Sequence, residues 1–166
     1  MYEIHASILI DASPQRVFDC LTDYEQFFRG PGMTCRLIHD GQPLRNGLGA
    51  VRQVDSDGTV FTEEITAFDP PRHFEYVIVD LARPNGRLLR FEHELGWIDV
   101  VDTGNQTRVE WKSRFSIQWT LVGRLLERVI GAKAATAFRR LLEQAKAELE
   151  SSQSAADPRV HDTRLG

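Results

Sequence analysis

The dipeptide Asp57-Gly58 constrains this chain more than any other two residues. It supplies the two positive φ angles of a type I′ turn, and residues of strand character flank it on both sides. A two-residue loop pairs Ser56 with Thr59. Counting outward sets Val54 against Phe61, Arg52 against Glu63 and Ala50 against Ile65. Side chains alternate faces along a strand, so these residues, with Ala67 beyond, share one side. That side is apolar except for one arginine and one glutamate. The other carries Val51, Gln53, Asp55, Val60, Thr62, Glu64 and Thr66, a mixture suited to water. A three-residue loop would move Arg52 opposite Thr62, but Glu63 would still share the face of Phe61 and Ile65. Buried ions lose several kcal/mol of hydration unless paired or wetted, so Arg52 and Glu63 are the first candidates for a functional role.

A chain of 166 residues suits one well-buried core and is short for two. With 20 Lys and Arg against 24 Asp and Glu, the net charge is -4, which gives no global reason to expect a nucleic-acid partner. No apolar run approaches the roughly 20 residues of a membrane span. The start, Met1-Tyr2-Glu3-Ile4-His5, lacks the basic-then-apolar layout of a signal peptide, so a cytoplasmic location is expected. Cys20 and Cys35 fall on different elements and read as free thiols. Neither has a His or Cys partner at metal spacing, and neither a metal nor a cofactor is expected.

An opening strand, residues 2 to 11, places Tyr2, Ile4, Ala6, Ile8 and Ile10 on one face. Ser13-Pro14 reads as a helix N-cap followed by proline at the first helical position, and Val17, Phe18 and Leu21 face inward. Asp23 and Gln26 suggest a second short helix, through Phe28, ended by Gly30-Pro31-Gly32. Period-two patterning then predicts strands near 34–40, 48–55, 59–68, 73–82, 89–101 and 107–118, joined by short turns and therefore antiparallel. A long amphipathic helix follows over 121–150, interrupted by Gly131, where a bend or a close backbone approach is expected. Residues 151–166 have almost no apolar anchor and read as a disordered tail. Residues 1–150 are thus expected to form one domain.

Strand, two small helices, six strands and one long helix is the element order of a helix-grip fold. On Ile10-Asp11-Ala12-Ser13-Pro14 with Val17-Phe18, Gly47-Leu48-Gly49-Ala50-Val51-Arg52, Glu63 through Asp69-Pro70-Pro71, Tyr76-Val77-Ile78 and Thr107-Arg108-Val109-Glu110-Trp111, the chain resembles the Bet v 1-like, START-related superfamily. Within it, the bacterial polyketide cyclase/dehydrase-like branch is the most similar. The resemblance covers about residues 2 to 150. It implies an α+β fold with a seven-stranded curved antiparallel sheet around the C-terminal helix, enclosing a cavity of the kind that holds lipids, sterols or polyketides.

Facial parity then fills the interior. Phe91, His93, Leu95 and Trp97 share one face, and Val109, Trp111, Ser113, Phe115 and Ile117 another. In 73–82, Phe74, Tyr76 and Ile78 compete with Val77, Val79 and Leu81, and the resemblance favours Tyr76 inward. The expected lining is Arg52, Phe61, Glu63, Tyr76, Phe91, His93, Trp97, Trp111, Ser113 and Phe115, with Val122, Leu126, Val129 and Ile130 from the helix. Arg124 and Arg128 read as a solvated helix face. A mostly apolar pocket with a few polar groups suits a small molecule. The expected partner is therefore a small hydrophobic ligand, bound or carried, with Arg52 orienting an anionic end. Each polar group also has a purely structural reading: Arg52 and Glu63 as an ion pair, His93 as a neutral core histidine bonded to a backbone carbonyl, Tyr76 and the tryptophans as packing. An enzymatic alternative is a cyclase or dehydratase in which Glu63 or His93 acts as general acid or base. Pairing with arginine is expected to lower the Glu63 pKa, which disfavours that role. A partner-binding module is a third alternative, and oligomeric state stays open between monomer and homodimer.

Overall fold

A computed structural model describes residues 1–83, 91–117 and 123–156. Its elements in chain order are β1 (Tyr2–Ile10), α1 (Pro14–Thr22), α2 (Tyr24–Phe27), β2 (Met33–His39), β3 (Val51–Ser56), β4 (Thr59–Asp69), β5 (His73–Ala82), β6 (Phe91–Asp102), β7 (Thr107–Ile117) and α3 (Gly123–Ala156). The seven strands form one antiparallel sheet in the order β1-β7-β6-β5-β4-β3-β2. All but one of the neighbouring pairs are sequential, and β1 closes the far side against β7. This is the α+β helix-grip architecture that the element order implied.

The hairpin register holds residue for residue. Asp57 and Gly58 sit at φ 50° and 80°, and Ser56, Val54 and Arg52 pair with Thr59, Phe61 and Glu63. Four bulges bend the sheet, at Ile38 in β2, Thr66 in β4, Val79 in β5 and Glu94 in β6, because at each point one strand advances two residues while its partner advances one. Each bulge also inverts facial parity beyond it. After Thr66, Phe68 packs into the core against Phe18 and Phe74, and Ala67 does not join that cluster. The bulge at Val79 resolves the competition in β5: Tyr76 and Ile78 face inward before it, and Leu81 pairs with Phe61 after it.

In β6 the inversion corrects the expected lining. Phe91 and His93 face the helix, but beyond Glu94 the inward residues are Gly96, Ile98 and Val100, all buried. Leu95 and Trp97 turn to the outer face. There the Trp97 ring lies 5.0 Å below the Arg114 guanidinium and 5.9 Å from Lys112 Nζ, so Trp97 does not line the interior. Gly96 opens a seat for Tyr76, since a Cβ at that position would run into the Tyr76 ring. β7 alternates without interruption, and Val109, Trp111, Ser113, Phe115 and Ile117 are all buried.

The core has two parts. The larger joins the inner face of β1 and β3–β7 to α1, α2 and the second half of α3, through Val17, Phe18, Leu21, Leu141, Leu142, Ala145 and Leu149. The smaller holds Ile4, Phe115 and Ile117 with Tyr2, Phe91 and Ile130 under the first half of α3. Gly131 lets the Tyr2 ring lie directly against the helix backbone, the close approach anticipated there. Val129, expected inside, is 48% exposed because it sits on the opposite side of the helix from Ile130's contacts. Val122 and the side chains of Leu126 and Arg124 lie outside the described residues.

α3 runs six residues beyond its expected end. Residues 151–156 continue the helix, with Ser151 and Ser152 hydroxyls donating to the carbonyls of Glu148 and Leu149 and Arg16 donating to Ser152 Oγ at 2.8 Å; the rest of the expected tail, 157–166, lies outside the described residues. Upstream, Asp11 N–H donates to Glu150 Oε1 and Lys146 to the Leu9 carbonyl, fastening this half of α3 to the end of β1. Both cysteines are free, and burial pushes their thiols up, to about 11 at Cys20 and about 12 at Cys35.

Gly96→Ala would place a methyl in the seat of the Tyr76 ring. Overpacking of this kind costs roughly 1–3 kcal/mol, so a urea unfolding midpoint well below that of the parent protein is expected. An unchanged midpoint would mean that Tyr76 is not wedged there.

Candidate functional site

The interior of the sheet carries two polar groups of side chains. The first is the predicted pair. Arg52 Nε donates to Glu63 Oε2 at 2.8 Å, with Arg52 1% and Glu63 7% exposed. The guanidinium is boxed by rings, its Cζ 4.2 Å from the Tyr24 centroid, 4.9 Å from Phe28 and 5.1 Å from Tyr76. Such rings present the negative face of their quadrupole to the cation, partly replacing lost water. Tyr24 is held in place by donating from its hydroxyl to the Asn46 carbonyl at 2.8 Å. Tyr24 and Phe28 are site residues that the strand pattern could not disclose, since they arrive from α2 and the residue after it.

Burial acts on both charges. It pushes the Glu63 carboxyl up, and Arg52, by its charge and its hydrogen bond, pulls it back less strongly, so the carboxyl titrates above its ordinary value. This reverses the lowering expected from pairing alone, because the carboxylate gains a single charged hydrogen bond while losing its water. Arg52 stays cationic throughout the ordinary pH range.

The second group is a row of four side chains from adjacent strands. The Ile78 backbone N–H donates to His93 Nδ1 at 3.0 Å, and His93 Nε2 lies 3.0 Å from Ser113 Oγ. A backbone N–H can only donate, so Nδ1 is the acceptor and the neutral ring carries its proton on Nε2, directed at Ser113. Ser113 in turn lies beside the Tyr76 hydroxyl, which accepts from Trp111 Nε1 at 3.0 Å. Tyr76 thus belongs to both groups. Burial pushes its phenol up and pulls the His93 imidazolium down to about 4. His93 is therefore neutral at physiological pH, as the structural reading of it held, although its backbone partner is an N–H and not a carbonyl.

Apolar walls flank this row. Trp111 stacks on Phe138 of α3 at 3.7 Å between centroids, and Phe91 stacks on Phe115 at 5.4 Å. Phe61 and Ile78 pack at the edge of the larger core, Ile130 at the edge of the smaller. A cleft of about 380 Å³ has His93 and Phe115 in its wall together with Met1, Glu92, Glu94 and Ser116. Of the expected lining, the structure brings together Arg52, Glu63, Tyr76, His93, Trp111 and Ser113, with Phe61, Phe91, Phe115 and Ile130 around them; it excludes Trp97. Glu127 is a further buried carboxylate that the pattern missed, and its Oε1 accepts the Ile117 N–H at 2.9 Å.

Removing either partner of the first pair strands the other charge in the interior. Arg52→Met and Glu63→Leu are each expected to cost roughly 3–5 kcal/mol, and the double variant less than their sum. Urea denaturation of the four proteins in the cycle measures this; additive losses would mean that the two charges are not coupled.

His93 sets a pH dependence. Below about 6.5 the unfolded chain takes a proton at this site that the folded protein refuses until about 4. Stability contributed here is present above the unfolded value and falls as pH drops through that interval, by up to roughly 1.4 kcal/mol per pH unit. His73 has the opposite sign: burial lowers its pKa, but Asp99 and Glu75 raise it further, so its contribution is full below the unfolded value and lost as pH rises. Unfolding curves across this interval should show a shallower acid-side loss for His93→Phe than for the parent; equal slopes would place the loss elsewhere.

The described residues contain no helix long and apolar enough to cross a membrane and no cluster of His, Cys, Asp and Glu arranged for a metal. The fold is shared with solved structures. A START superfamily protein from Mycobacterium smegmatis superposes with a TM-score of 0.67 at 12% identity, covering 91% of this chain and 99% of its own. The Aha1 dimer from Colwellia psychrerythraea gives 0.61 at 18%, covering 90% and 97%. Ara h 8.0201 gives 0.65 at 11%, covering 90% and 98%. No curated protein sequence matches significantly. The family model described as "Polyketide cyclase / dehydrase and lipid transport" matches residues 1–150. This chain therefore belongs to the polyketide cyclase/dehydrase and lipid transport family, and it shares its helix-grip fold with these solved structures.

Proposed function

We propose that the protein binds and carries a small, mostly hydrophobic metabolite, lipid- or polyketide-like, between the sheet and α3, with the polar or anionic end of that molecule directed at Arg52. The carrying observation is how Arg52 is held. Its bond to Glu63 uses one N–H of the guanidinium and one oxygen of the carboxylate, and neither residue makes another hydrogen bond to a described residue. Further donors and Glu63 Oε1 are thus left for a ligand carboxylate, a hydroxyl or a bridging water. The rings of Tyr24, Phe28 and Tyr76 keep the guanidinium oriented without occupying its donors. Phe61, Phe91, Phe115 and Ile130 supply apolar contact area, and the Tyr76–Ser113–His93 row supplies hydroxyl and imidazole groups for a second polar atom.

The row favours binding over proton transfer. His93 already accepts at Nδ1 and donates at Nε2, and its depressed pKa leaves it a weak base. Acting as a catalyst would require one of these contacts to open at each turnover.

Native mass spectrometry of the freshly purified protein should show an adduct that disappears on denaturation. Glu63→Gln, which keeps the side-chain shape, should change the retained population, and Ser113→Ala should reduce it severalfold with the fold intact by circular dichroism. A parent protein that carries no adduct and binds none of a panel of fatty acids would overturn the carrier reading. Loss of turnover with retained binding in His93→Ala, for any substrate found, would establish the cyclase or dehydratase alternative.

A further inference from the structure

The outward side of the first half of α3 is not the polar surface expected of a helix that only covers a sheet. Leu125 is 64% and Val129 48% exposed. With the exposed Ala132 and Thr136 they recur at intervals of four, three and four, which at 100° per residue forms one continuous stripe. Arg128 and Arg139 lie along one flank of that stripe, Lys133 and Arg140 along the other, and all four are exposed. From Leu125 to Arg140, about 22 Å of helix, the only acidic residue is Glu127, which is 8% exposed and turned inward to the Ile117 N–H. None of the four cations forms a salt bridge among the described residues, whereas Arg45, Arg72, Arg108, Lys112 and Arg114 elsewhere on the surface all do. An unneutralised basic face is thus concentrated on a chain whose net charge is -4.

We propose that this face of α3 docks on an anionic phospholipid surface, with Leu125 and Val129 entering the headgroup layer and Arg128, Lys133, Arg139 and Arg140 meeting lipid phosphates. The charge pattern selects the occupant. A second copy of the chain would bring the same four cations against themselves. Among the described residues, an acidic partner helix would find only Leu125 and Val129 as sizeable apolar side chains on this face, too little for a stable two-stranded seam. A bilayer requires neither register nor a long seam: it offers continuous negative charge, to which each basic residue near the surface contributes, and a shallow apolar layer for the two aliphatic side chains. Flanking arginines and lysine can extend to the phosphates while their stems lie along the apolar boundary. Overall negative charge does not prevent this, because charges more than about 8 Å from the surface are largely screened at physiological salt.

Sedimentation with vesicles tests the proposal using the full chain. The protein should pellet with vesicles of phosphatidylcholine and phosphatidylglycerol, not with pure phosphatidylcholine, and should be released by high salt. Replacing a cation, as in Arg128→Gln or Arg139→Gln, should weaken partitioning about fivefold each. Leu125→Ser with Val129→Ser should weaken it without abolishing the salt dependence. Arg36→Gln, on the exposed edge strand β2, serves as the control and should leave it unchanged. Equal binding to neutral vesicles, or no effect of the α3 cation variants, overturns the proposal; so does binding only to an acidic helical peptide. Vesicle binding by a protein that retains no adduct in native mass spectrometry would leave this inference standing and remove the carrier reading.

Discussion

The Arg52–Glu63 contact is the constraint around which the interior is arranged. An ion pair with 1% and 7% exposure is tolerable only if the protein replaces the water each group has lost, and one hydrogen bond of 2.8 Å does not suffice. The replacement comes from three elements that are distant in sequence. The I′ turn sets the register that places Glu63 opposite Arg52, α2 and its following residue bring Tyr24 and Phe28 to the guanidinium, and β5 brings Tyr76. Asn46 then fixes Tyr24 from the loop preceding β3. The hairpin, the small helices and the middle of the sheet are thus tied together by the solvation requirement of one cation.

Tyr76 extends the same logic to the second polar group. Its ring flanks Arg52 while its hydroxyl accepts from Trp111 and lies beside Ser113, which accepts from His93. The arrangement depends on two departures from regular sheet structure. Gly96 leaves space for the ring, and the bulge at Glu94 lets His93 face inward while Ile98 and Val100, further along the same strand, also do so. Without that bulge, His93 and Trp97 would share a face, and the large indole would compete with Tyr76 and Trp111 for the centre of the core.

This explains what could be read from the residues and what could not. Turn chemistry and period-two alternation disclosed the β3–β4 hairpin and the inward face of β7, since both run without interruption through the relevant residues. Element order disclosed the architecture. Trp97, Leu95 and Ala67 were misplaced because a bulge adds one residue and inverts parity, and no side-chain pattern at Glu94 or Thr66 announces it. Aliphatic residues at helical spacing read as one face and place Val129 inward, whereas α3 has an aliphatic stripe on each side. Tyr24 and Phe28 were invisible as site residues because their role exists only across a tertiary contact. Residues 151–156 continue α3 although their composition, with few apolar side chains, reads as disorder.

The two halves of α3 carry unequal loads. Its second half buries Leu141, Leu142, Ala145 and Leu149 in the larger core and is stitched to β1 through Lys146 and Glu150. The first half presents Ile130, Ala134, Ala135 and Phe138 to the smaller core, with Glu127 holding the end of β7. Hydrophobic stabilisation scales with apolar area, at about 25 cal/mol per Å², so alanines where the second half has leucines leave the first half more weakly held. Local opening follows the regions with the fewest apolar contacts. The end of the molecule where α3 is least firmly packed is therefore also the end that carries Phe91, His93 and Phe115 beneath it and the basic aliphatic stripe outside it. Under the proposed carrier function, a ligand entering between sheet and helix would displace the contacts that contribute least, while the Arg52 box, tied to α2 and the hairpin, would stay fixed.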